Sequence, residues 1–159
     1  MTDNPITPGT PDSGYFQYLA EERAYAERNE GLRPANKTAL FEALASSGIT
    51  SVLVRFDGEG DNGQIEEIDA VCGEAPAELP SGEIELAEPV WGSTEIRRTT
   101  LSVSDAIETL AYNLLEETHG GWENGDGAWG DFTFDVAARS ITLAYNERHM
   151  ESDYSEHVF

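Results

Sequence analysis

Lysine occurs once in this 159-residue chain, at Lys37, and cysteine once, at Cys72. A single cysteine excludes an intramolecular disulfide and a thiolate cluster for zinc. No stretch approaches the roughly 18 consecutive apolar residues of a spanning helix. The opening Met1-Thr2-Asp3-Asn4-Pro5 lacks the basic and apolar regions of a secretory leader, so the expected location is the cytoplasm. Bases of either kind are scarce: nine Lys and Arg stand against 31 Asp and Glu, for a net charge of -22. Such a field repels nucleic acid and anionic membrane and draws in basic surfaces. Also missing are a G-x-S-x-G elbow, a phosphate loop, a dinucleotide fingerprint and H-E-x-x-H. Neither Cys72 nor His119 has a nucleophile–base context. The expectation is a non-enzymatic protein without a cofactor.

The acids are unevenly placed. Between Phe56 and Ile96 no base occurs, while Asp57, Glu59, Asp61, Glu66, Glu67, Asp69, Glu74, Glu78, Glu83, Glu85, Glu88 and Glu95 do. A second base-free stretch, Thr99 to Ala138, adds Asp105, Glu108, Glu116, Glu117, Glu123, Asp126, Asp131 and Asp135. Three Trp, six Tyr and six Phe are still enough for a core, which argues against global disorder.

Residues 1–13, with three prolines, read as a flexible tail, leaving 14–159 as one domain. Ser13 caps a predicted helix to about Asn29, with Gly31 beyond its end, and Pro34 to Ser47 reads as a second helix. Ile49 to Phe56 and Gln64 to Val71 form a predicted hairpin, in which a bulge at Glu66-Glu67 would return Ile65 and Ile68 to one face. Glu83-Ile84-Glu85-Leu86 reads as an edge strand. Val103, Ala106, Ile107, Leu110, Ala111, Leu114 and Leu115 define the best helix, with Ser102 and Asp105 as its capping pair. Phe132, Phe134 and Val136 alternate with outward Asp131, Thr133 and Asp135, and Ile141, Leu143 and Tyr145 complete a second hairpin. The sum is an α+β fold: an antiparallel sheet of two hairpins, four to five strands, with about three helices on one face.

Three constellations invite chemistry. Asp57-x-Glu59-x-Asp61-Asn62-Gly63 has oxygen ligands at alternate positions, as calcium requires, but its glycine comes one place late and no twelfth-position glutamate follows. An acidic hairpin turn is the simpler reading. Trp122 and Trp129 flank an acidic turn containing Asp126. The simpler reading is that one or both close an edge of the core; as a binding feature, without nearby bases, they suit a sugar or the rim of a protein interface rather than nucleic acid. His149, Asp153 and His157 would face one way on a helix and could bind zinc, although the intervening residues do not favour a helix.

The segments Phe56-Asp57-Gly58-x-Gly60-Asp61-x-Gly63-Gln64-Ile65, Gly130-x-Phe132-x-Phe134-Asp135-Val136 and Tyr145-Asn146-Glu147-Arg148, with the ending Tyr154-Ser155-Glu156-His157-x-Phe159, resemble a family of small acidic bacterial and mobile-element proteins of unknown function. The resemblance spans about residues 36–159. It implies a bacterial or phage source and supplies no activity.

The leading expectation is a binding protein that imitates nucleic acid and blocks a basic nucleic-acid-binding partner, for instance a CRISPR complex or another defence effector. Glu83 and Glu85 would set charges about 6.8 Å apart on a strand, about twice the roughly 3.4 Å axial spacing of phosphates on one DNA strand. The partner-binding set is Asp57, Glu59, Asp61, Glu66, Glu67, Asp69, Glu83, Glu85, Glu88, Trp122, Asp126 and Trp129. The alternatives are acidity for solubility or a high-salt cytoplasm, and a calcium- or carbohydrate-binding module.

Overall fold

A computed structural model describes residues 13–59, 62–120, 127–147 and 153–159. The segment read as a tail lies outside them apart from Ser13. Helix α1 spans Ser13–Ser46. It is one helix of 34 residues where the sequence reading placed two, so the described residues form two helices rather than about three. Gly31 and Pro34 do not break it. Pro34 forfeits one backbone hydrogen bond, and the helix is held from outside on both sides of that point. Arg33 pairs with Glu117, and Asn36 grips the backbone of Ala87, donating to its carbonyl at 2.9 Å and accepting from its N–H at 2.8 Å.

Strands β1 (Ser51–Glu59) and β2 (Asn62–Cys72) form the first hairpin, and β3 (Ala75–Ala77) adds a short edge. The expected bulge is present: Arg55 faces Glu67 while Phe56 faces Ile65, leaving Glu66 as the extra residue. The N–H of Ile65 donates to the Tyr112 hydroxyl at 2.8 Å, so the disturbed ladder is satisfied from the helix above. Next, β4 (Glu83–Pro89) and β5 (Ile96–Ser102) pair only with each other. The 83–86 segment therefore belongs to a separate ribbon and not to an edge of the main sheet.

Helix α2 (Val103–His119) follows directly. Ser102 Oγ accepts from the Asp105 N–H at 3.1 Å, and all seven residues of the predicted apolar stripe are buried. The chain closes with β6 (Ala128–Asp135), β7 (Ser140–Glu147) and β8 (Asp153–Val158). The main sheet thus has six strands, ordered β3-β2-β1-β6-β7-β8 and antiparallel throughout. Its edges are β3, which contains Pro76, and β8.

One face of the sheet makes the core. Val52, Val54, Phe56, Phe132, Phe134, Ile141, Leu143 and Tyr145 are buried with Leu40, Phe41 and Leu44 of α1 and the α2 stripe. Each large side chain so buried contributes about 1.5–3 kcal/mol. Leu86 of the ribbon joins this core, and Trp91 at its tip meets Tyr18 and Tyr25 of α1, with ring centroids 5.8 and 5.5 Å apart. Helices and ribbon therefore cover the same side, and among the described residues no element covers the opposite, open face of the sheet.

Candidate partner-binding face

Side chains alternate along a strand, and directly paired residues share a face. Since Val52, Val54 and Phe56 point to the core, Ser51, Leu53, Arg55 and Asp57 point to the open side. The register extends this across the sheet. Arg55 stands between Glu67 of β2 and Asp131 of β6, and the same row continues through Ala144 to Glu156. The next row runs Gln64, Asp57, Trp129, Asn146, Tyr154. On the other side come Asp69, Leu53, Thr133, Thr142, Val158, and then Ser51 with Asp135. Six carboxylates, Asp57, Glu67, Asp69, Asp131, Asp135 and Glu156, share the face with one base among the described residues.

That base, Arg55, donates to Glu67 at 2.8 Å. Asp131, on its other side, has its carboxyl raised above the ordinary value by partial burial, with Arg55 opposing the shift. Loss of hydration, followed by the nearby Glu156 and Asp131 carboxylates, raises the Tyr154 phenol. Trp129 and Tyr154 are 45% and 61% exposed, so two large aromatic surfaces stand in one row with only Asn146 between them.

Of the residues expected to bind a partner, Asp57, Glu67, Asp69 and Trp129 come together on this face, with Glu66 exposed in the bulge beside them. Glu83, Glu85 and Glu88 lie on the ribbon. There Arg97 binds Glu88 at 2.8 Å and Arg98 approaches Glu85 to 3.8 Å, so two of the three are neutralised by the bases that separate the acidic stretches. Asp61, Trp122, Asp126 and the side chain of Glu59 lie outside the described residues. Glu156 and Tyr154 were missed because 153–158 was not read as a strand. The alternation of Tyr154, Glu156 and Val158 with Ser155 and His157 carried that signal.

His157 meets His119, and the zinc geometry that a helix would have given does not arise. The strand at 153–158 would set positions 153 and 157 about 13 Å apart, and His149 lies outside the described residues. The Nε2 atoms of His119 and His157 are 3.1 Å apart, Ser155 Oγ is 3.3 Å from His119 Nε2, and the His119 ring stacks on Tyr145 with centroids 3.6 Å apart. Burial, then the charge of His157, lowers the His119 pKa, and Glu147 opposes this. Among the described residues no group of three or more His, Cys, Asp or Glu could hold a metal ion. No described helix is long and apolar enough to cross a membrane.

Fold and face together define a two-layer α+β domain with a one-sided antiparallel sheet whose free side is acidic. The chain belongs to a family of unknown function (DUF6878), which matches residues 32–159. The match starts inside α1, leaving the exposed Tyr15, Phe16 and Tyr18 outside it. No curated protein and no solved structure matches the chain.

Proposed function

We propose that the open sheet face is a docking surface for a basic, nucleic-acid-binding protein, and that it acts by presenting carboxylates where that partner expects phosphates. The observation that carries this reading is the merging of the two base-free stretches. Asp57, Glu67 and Asp69 come from the first and Asp131 and Asp135 from the second, and strand pairing sets them side by side. Neighbouring strands are about 4.8 Å apart and alternate residues about 6.8 Å apart, spacings on the scale of a phosphate backbone. Trp129 and Tyr154 add the rigid aromatic surface that anchors protein interfaces and stacks on guanidinium groups. Association would be electrostatically steered and steeply weakened by salt. A DNA-gripping effector of bacterial defence, such as a CRISPR complex, is the most concrete partner of this chemistry.

The test compares two triple charge reversals of equal net charge. Glu67→Lys, Asp69→Lys and Glu156→Lys alter the open face. Glu22→Lys, Glu27→Lys and Asp105→Lys alter exposed positions on the helices. Basic proteins captured from the host at low salt should be displaced by duplex DNA and lost with the first variant alone. Equal loss with both variants would show that bulk charge, and not this face, governs binding.

A further inference from the structure

Carboxylates outnumber bases more than threefold here, and most described bases are taken. Glu21 holds Arg28, Glu117 holds Arg33, Glu67 holds Arg55, Glu88 holds Arg97 and Glu85 holds Arg98. Arg23, Lys37 and Arg139 have no ion pair among the described residues, and the last two line the same pocket. It is open, about 490 Å³ in volume, and bounded also by Arg33, Pro34, Thr38, Phe41 and Glu30. Three of the chain's nine bases thus line one pocket, with Glu30 as its lining carboxylate and Glu117 paired to Arg33.

Two of these bases, Lys37 and Arg139, are placed at a cost. Lys37 is half-buried and donates to the Phe159 carbonyl at 3.0 Å. Its ammonium pKa is lowered by burial and by Arg33 alongside. Arg33 is held in place by Glu117 and by the Phe159 ring, 5.7 Å from its guanidinium. Arg139, in the β6–β7 turn, is the one described non-glycine residue with positive φ, at 54°. Glycine, asparagine or aspartate would take that conformation more easily.

We propose that this pocket binds a small organic oxyanion, its charged group held between Lys37 and Arg139 with Arg33 as the third charge, and its apolar part against the exposed Pro34 ring. Phosphate monoesters and carboxylates share this chemistry. The site shares no residue with the open face, so it stands or falls separately from the docking function.

Phenyl phosphate, inorganic phosphate and benzoate should be titrated with ionic strength held constant by sodium chloride, because a chain of this charge gains stability from any salt. At ten times its Kd a specific ligand should raise Tm by about 3 °C. Phenyl phosphate exceeding benzoate identifies a phosphate ester as the natural class; the reverse order identifies a carboxylate. Arg139→Gly relieves the backbone, so without ligand it should melt no lower than the parent. Its affinity should fall at least tenfold, and that of Lys37→Gln likewise, while Arg97→Gln on the ribbon leaves affinity unchanged. Tm shifts no larger than those in chloride alone, or affinity undiminished in Arg139→Gly, would overturn the proposal.

Discussion

The flat stack of His119 on Tyr145 and its 3.1 Å approach to His157 leave room for at most one proton between the two Nε2 atoms. The folded chain therefore favours neutral His119. As pH falls, the unfolded chain takes up its proton first, near the ordinary value of 6.5. The stability linked to this group is complete above that pH and is lost as pH falls through the lowered folded value. Imidazole NMR titration should place His119 below free histidine. His157→Ala should move it only part of the way back, because burial is the larger cause. Asp131 has the opposite sign. Its folded pKa is raised, so protonation on descending pH favours the folded chain. Arg55→Ala should raise it further, as followed by carboxyl carbon shifts.

At the scale of elements, Asn36 fastens α1 to the ribbon through both polar groups of Ala87 in a buried setting. Asn36→Leu strands a buried N–H and a buried C=O and should cost about 3 kcal/mol in urea unfolding. Gly130 marks a second fixed point. A Cβ there would lie 2.0 Å from the Ala144 carbonyl oxygen, across the β6–β7 pairing. Gly130→Ala should cost about 3 kcal/mol by the same measurement. Helix α2, both hairpins and the Glu66 bulge were legible in the chain, because each has a local period or an interruption of one. The continuity of α1 was not. Gly31 and Pro34 signal a stop, and what overrides them are contacts with residues more than 50 positions away, Ala87 and Glu117. Strand β5 was hidden by its exposed Ile96, Arg97 and Arg98, which show no buried alternation. For the open face, the outward aspartates of β6 could be read from the sequence. Their union with Asp57, Glu67 and Asp69 could not, because it depends on β1 pairing with β6 across some 75 residues of chain.

For the whole molecule, a net charge of -22 puts self-repulsion among the main terms opposing the folded state. Sodium chloride should raise Tm between 0.05 and 0.5 M, a range over which screening shortens from about 14 Å to about 4 Å. A falling Tm would show that the ion pairs of α1 and the ribbon outweigh the repulsion. The sheet's two ends differ in how they are guarded. Strand β3 is three residues long and carries Pro76, so it offers little to pair with. Strand β8 is twice as long, has neither proline nor lysine, and exposes Tyr154 and Val158 around Glu156. Its protection is electrostatic: a second copy arriving to extend the ladder brings the same negative charge with it. Acidification should weaken that barrier, and light scattering on lowering the pH should then report association through β8, suppressed by Val158→Lys.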